Sequence, residues 1–301
     1  MITFQKFWES SELEKKKSKS NKVLPPNNLT EKEIQESFSK LSDVEINQFG
    51  KKNCISKEDW PRFRKMLVQN SQKRVQGLNP SMTAYTPAET FHLLHNPIVM
   101  DWHSKVINHN IPDGYDTLIF VPCAATKPWG VNTCKRSKPY TGYHMVRKEY
   151  GNVYFVTISE PLGIVPQDMW ETFPIYDCPG LFKCSAQRNS METKDWIHLY
   201  PEKNLKSRMV TPFDEQKYEE CIDILGGVVD TFIKNVMSKK PNLKVLSFVD
   251  DKEGKDSTTH SHMLNKINKD ILSAIKRYPK NSRNDNPEQR KDYIIGKINQ
   301  N

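Results

Sequence analysis

Apolar residues in this chain are concentrated in runs, and their spacing separates strands from helices. Asp116-Thr117-Leu118-Ile119-Phe120-Val121 and Val153 to Ile158 are short, continuous apolar runs bounded by turn residues, the pattern of strands buried on both faces. Leu243 to Val249 is a third run of this kind. Between and after them the pattern changes to helical spacing. Tyr140 to Tyr150 predicts a helix stopped by Gly151. Pro212 to Lys239 predicts a long helix capped by Thr211 or Asp214, and Thr258 to Tyr278 a final one. Strand, helix, strand in succession predicts an α/β fold with a parallel sheet and right-handed crossovers.

The part before Asp116 is helical in pattern. Thr30-Glu31-Lys32-Glu33 is a capping box ahead of an apolar face of Ile34, Phe38 and Leu41. A second helix follows Ser56, with Trp60, Phe63 and Leu67 at helical spacing. In Thr86-Pro87-Ala88-Glu89 the Thr can cap, the Pro suits a first turn, and the Glu favours the helix dipole. Asn96-Pro97 ends that helix, and Pro97 to His109 carries Ile98, Trp102, Val106 and Ile107 on the next. Ile111-Pro112-Asp113-Gly114 closes the helical part. The resulting division is a flexible basic segment over 1–28, a helical region over 29–110, an α/β core over 111–278 and a polar tail over 279–301. Within the tail, Tyr293-Ile294-Ile295 could dock.

Composition narrows the class. The 301 residues are 36% hydrophobic, enough for a core only because the apolar runs are so concentrated. A formal net charge of +9 favours a polyanionic partner, nucleic acid first, although part of the excess lies in the ends. The six cysteines form no CxxC pair, and no signal peptide or long apolar segment is visible, so a reducing, cytoplasmic compartment with free thiols and no membrane is expected. Cys178 and Cys184 stand too far apart in sequence for a usual zinc pair, and the histidines show no HExxH, so no metal is expected. There is no Walker loop and no GxGxxG, hence no expected cofactor.

The candidate chemistry lies where the strands end, because ligands of open α/β sheets sit at the carboxyl ends of strands. Cys123 follows the first strand directly. Beside Lys127 it would be a low-pKa nucleophile; the alternative is a small buried hydrophobe. Lys127, extended by Pro128, can aim its ammonium across a pocket. Glu160 closes the second strand as a candidate general acid/base in Glu160-Pro161-Leu162-Gly163, where Gly163 can take positive φ. Asp177 lies in a third polar turn, Tyr176-Asp177-Cys178-Pro179-Gly180, and could instead form an Asx turn. His144 could reach the site from its helix, whereas His260-Ser261-His262 reads as a helix entry. Gly226-Gly227, mid-helix, reads as close packing.

These residues resemble archaeosine synthase and the related accessory domain of archaeal tRNA-guanine transglycosylases. The family motif is Pro-Cys, three residues, Lys-Pro-Tyr, two residues, Ser, two residues, His. Here it opens as Pro122-Cys123-Ala124-Ala125-Thr126-Lys127-Pro128-Trp129, with Trp in place of Tyr. The family's Ser-Glu-Pro-Leu-Gly run resembles Ser159 to Gly163 with Leu162 in place, and its Tyr-Asp-x-Pro turn resembles Tyr176, Asp177 and Pro179. Direct counting puts Asn132 and Lys135 at the family's Ser and His, while an inserted loop would bring Ser137 and His144 there, and both alignments stay open. The resemblance implies a Rossmann-like three-layer sandwich similar to uracil-DNA glycosylases. It implies catalysis by Cys123, Lys127, Glu160 and Asp177, with Pro122, Thr126, Trp129, Ser159, Leu162, Gly163, Tyr176 and His144 around the substrate. The implied activity is amine addition to the nitrile of a 7-cyano-7-deazaguanine already in nucleic acid. Its partners would be tRNA or, in a viral setting, DNA, together with an amino-acid or other amine donor and a transglycosylase. A glycosylase or base-exchange domain on the same fold, or a non-catalytic nucleic-acid-binding module, are the alternatives.

Overall fold

The computed structural model describes residues 60–75, 77–124, 127–131, 138–181, 214–249, 259–279 and 286–300. The helix expected at Thr30, the basic segment 1–28, and Thr126, Asn132, Lys135 and Ser137 lie outside the described residues.

Among the described residues, three α-helices precede the sheet: α1 (Trp60–Arg74), α2 (Pro87–Leu94) and α3 (Pro97–Ile107). The capping chemistry read from the sequence is present. Thr86 Oγ1 accepts from the Glu89 N–H at the start of α2, and Asn96 accepts from the Ile98 N–H at the start of α3. Each cap satisfies an amide that the first helical turn leaves open. The sheet then begins with β1 (Thr117–Pro122), followed by α4 (Lys138–Glu149), β2 (Val153–Ser159) and β3 (Gly163–Pro166). After these come α5 (Glu215–Lys239), β4 (Lys244–Ser247), α6 (Thr259–Asn265), α7 (Lys269–Ala274), β5 (Lys276–Arg277) and α8 (Pro287–Asn299). Asp214 is the cap of α5, its side chain accepting from the Lys217 N–H.

The five strands run in the order β3-β2-β1-β4-β5. β1, β2, β4 and β5 are parallel, in the alternating α/β manner the pattern predicts. β3 departs from the parallel sheet expected, pairing antiparallel with β2. Glu160 to Leu162 is too short for a crossover, so the chain can only turn back on itself. Every residue of β1 and β2 is buried, so helices cover both faces of the sheet. Phe155 and Thr157 meet Tyr143 and Tyr140 of α4, whereas Tyr154, of opposite parity, meets His109 beyond α3. Trp102 of α3 donates to the Ile164 carbonyl (3.0 Å), which ties the helical region onto the edge strand.

Two further elements differ from the sequence reading. The single helix expected over Thr258 to Tyr278 is broken into α6, α7 and the short β5, because Asn268 caps a new helix at Asp270. The polar tail carries α8, which opens with a full capping box between Asn286 and Gln289 and buries Ile294.

Candidate functional site

Parallel strands in register bring their carboxyl ends to one rim. Pro122 of β1 is opposite Ile158 of β2, and the Cys123 N–H continues the ladder to the Ile158 carbonyl (3.1 Å). Cys123, one residue past β1, is therefore held beside Glu160, one residue past β2. The third member comes from α6, which follows β4, the strand on the other side of β1. His260, second in that helix, puts Nε2 3.3 Å from Cys123 Sγ and 3.1 Å from Glu160 Oε2. One donor atom from each of the three residues falls within 4.8 Å of the others, so the trio could hold a metal ion.

The electrostatics of the trio follow from this contact. Burial disfavours the His260 cation, but the facing Glu160 carboxylate and Cys123 sulfur outweigh it and push its pKa up to about 10. Burial likewise opposes a Cys123 thiolate, yet the His260 charge and hydrogen bond prevail and lower the thiol's pKa. The contact thus shifts the pair toward thiolate and imidazolium, on a cysteine that is half-buried rather than closed off. Glu160 is 2% exposed, and neither of its oxygens meets a donor in hydrogen-bond geometry; the His260 contact is an ion pair only.

Lys127 is also buried, at 6% exposure, with Nζ 4.4 Å from the centre of the Tyr176 ring. Among the described residues no hydrogen-bond acceptor or ion-pair partner meets that ammonium. Its charge contributes to lowering the Cys123 pKa, so it lies within electrostatic reach of the sulfur. The Tyr176 hydroxyl pairs with Ser159 Oγ, which fixes the ring beneath the ammonium. Both the Lys127–Pro128 and Glu160–Pro161 peptide bonds are cis. Trp129 is fully buried, stacked between Tyr140 and Phe173 (ring centroids 4.9 and 4.6 Å), and serves to anchor the loop that carries Lys127. Leu162 is buried, and Gly163 adopts φ +71 with Val228 packed where a side chain would be. The Pro122 carbonyl faces the Tyr140 hydroxyl at 3.5 Å.

Two residues named from the sequence stand apart from the trio. Asp177 accepts a hydrogen bond from Ser71 Oγ, which also contacts the Tyr85 hydroxyl at 2.9 Å; its backbone bridges to Met82 and Ala84. Its carboxylate thus joins a network between α1 and the segment that leads into α2. His144 Nε2 donates to the Trp129 carbonyl (2.8 Å), and burial lowers its pKa, so it braces the Lys127 loop as a neutral ring. His260 is the residue the sequence reading passed over, since nothing in His-Ser-His spacing points to Cys123. The signal that could have found it is topological: the helix entered after β4 starts at the same rim as the ends of β1 and β2.

Residues 99–247 match the model of a family described as a domain of unknown function, DUF5591. A segment is 30% identical over 145 residues to the archaeosine synthase subunit alpha of Thermoplasma acidophilum, covering 46% of this chain and 27% of that protein. The chain therefore spans about a quarter of the relative's length. No solved structure matches. The matched span includes Cys123, Lys127, Glu160 and Asp177 and ends before His260.

Proposed function

We propose, from the premise that the chain carries an archaeosine-synthase-like domain, that it modifies a 7-deazaguanine base within a nucleic acid by adding an amine to a nitrile on that base. The observation that carries this reading is the Cys123, His260 and Glu160 cluster at the strand rim. A nitrile carbon is a weak electrophile, and a thiolate divides one hard addition into two easier ones. Cys123 Sγ bonds to the nitrile carbon while the nitrile nitrogen takes the proton from His260 Nε2, giving a thioimidate. The incoming amine then adds to the same carbon, the C–S bond breaks, and an amidine forms. The proton lost by the amine returns to His260, with Glu160 holding the imidazolium in place. No ATP is consumed. Lys127, a buried cation facing no anion among the described residues, suits the carboxylate of an amino-acid donor.

Further parts of the proposal are a fold of the three-layer, uracil-DNA-glycosylase type, Asp177 and His144 as supports for the substrate loops, and Thr126 in the loop between Cys123 and Lys127. The relative is named as a subunit, and for this chain we extend that to a partner polypeptide, of transglycosylase type, that inserts the base. The substrate is tRNA or DNA, in keeping with a net charge of +9. The test is incubation with RNA and DNA oligonucleotides carrying 7-cyano-7-deazaguanine and an amino-acid mixture, followed by nucleoside mass spectrometry. The expected product is a nucleoside heavier by one whole amine, with no loss of water. Release of free base would point to a glycosylase instead, and an untouched nitrile with every donor would end the proposal.

A further inference from the structure

We infer that Cys123, Glu160 and His260 also form a binding site for a divalent transition metal of the zinc type, and that the metal-bound form is an inhibited state. The inhibition half rests on the function proposed above; the binding half does not.

A thiolate, an imidazole and a carboxylate are together a donor set of zinc and cobalt. The spacing fits as well as the chemistry. A tetrahedral centre with bonds of ~2.0–2.3 Å sets its donors ~3.3–3.6 Å apart. His260 Nε2 stands 3.3 Å from Cys123 Sγ and 3.1 Å from Glu160 Oε2, and all three donor atoms lie within 4.8 Å. Small side-chain shifts would therefore close them on one ion.

The independent observation is the state of Glu160. Its carboxylate is 2% exposed, yet neither oxygen accepts a hydrogen bond. One proton on His260 Nε2 cannot point at the sulfur and the carboxylate together, and here the sulfur takes it. A dication in place of that proton would serve both acceptors and the imidazole at once. Three protein donors leave a fourth position for water. The bound metal would hold the sulfur electron pair that must attack the nitrile, so the loaded enzyme cannot react.

The test uses full-length protein stripped with chelator and kept reduced, titrated with Co2+ as the probe. The expected result is one equivalent of cobalt with a thiolate-to-metal charge-transfer band, displaced by Zn2+. Cys123→Ser should abolish that band. His260→Ala and Glu160→Gln should weaken binding by at least about tenfold, the scale on which even outer-shell losses act. Near-ultraviolet circular dichroism checks that each variant is folded. A readout that needs no variant is the alkylation of Cys123 by iodoacetamide, mapped by mass spectrometry, which Zn2+ should slow. In the nitrile-conversion assay, one equivalent of Zn2+ should stop turnover and chelator should restore it. The inference is overturned if wild type gives no charge-transfer band, if Cys123→Ser keeps it, or if zinc leaves conversion unchanged or raises it. A cobalt band in a protein that never converts the nitrile would remove the proposed function and leave the metal site standing.

Discussion

The three cysteines among the described residues have different environments. Cys178 is buried, with its thiol pushed far up by desolvation and by the Glu160 charge; Cys221 is buried and pushed up by desolvation. Cys123 alone of these is partly open, faces an imidazolium and has a lowered pKa. At neutral pH, iodoacetamide should therefore label Cys123 well before Cys178 or Cys221, and His260→Ala should slow that labelling by about an order of magnitude. Equal labelling of all three, traced by peptide mass spectrometry, would contradict the thiolate assignment. A second residue-scale prediction concerns His92 and His103, which burial lowers to about 4 in the folded chain. Unfolded, each titrates near 6.5, so the unfolded state binds protons first as pH drops. Their contribution is complete above about pH 6.5 and is lost as pH falls toward 4, on the order of 1–3 kcal/mol each. Urea midpoints measured at pH 7 and pH 4.5 should show that loss, and His103→Gln should reduce it; a midpoint that holds steady would count against the assignment. His103 donates to the Pro161 carbonyl behind the Glu160 turn (2.9 Å), a bond that favours the protonated ring but is outweighed by burial. At this scale Cys123, Lys127 and Glu160 were legible, because each follows or flanks a recognisable strand end. His260 was not, since its partners are remote in sequence and only the strand order brings them together.

Elements tell a similar story one level up. The strands buried on both faces and the capped helices were readable because period and cap chemistry are local signals. β3 was not, since four residues following a Pro-Leu-Gly turn carry too little pattern to separate a short edge strand from a loop. α8 hid behind a polar composition, and its hold on the body is tertiary: Ile294 is buried and Lys291 bridges to Glu149 of α4 (3.3 Å). Gly226 and Gly227 give the clearest element-scale prediction, because they adjoin in α5 and face different surroundings. A methyl group at Gly226 would lie 2.4 Å from Lys266 Cβ and 3.2 Å from the Met263 carbonyl, at the contact with α6. One at Gly227 meets nothing within 4 Å. Gly227→Ala should stabilise the protein by up to ~1 kcal/mol, through helix propensity alone. Gly226→Ala should destabilise it by ~1–3 kcal/mol and, by displacing the helix that carries His260, slow Cys123 alkylation as well. Denaturation curves and alkylation rates for the two variants check both, and matching behaviour of the pair would refute the close α5–α6 contact.

For the molecule as a whole, the sheet order brings the ends of β1, β2 and β4 to one rim, and each end or the helix after it supplies one member of the trio. The family match ends before α6, so the residue that completes the cluster comes from outside the stretch that matches the family model. No helix among the described residues is long and apolar enough to cross a membrane. The central claim is that Cys123 bonds to the base through the nitrile carbon. Its most direct test is intact-mass spectrometry of the protein mixed with an oligonucleotide bearing 7-cyano-7-deazaguanine, with no amine added. The account predicts an adduct equal to the sum of the two masses, mapped to Cys123, absent from Cys123→Ala and dispersed when the amine donor is supplied. Conversion of the nitrile by Cys123→Ala at the wild-type rate would contradict it.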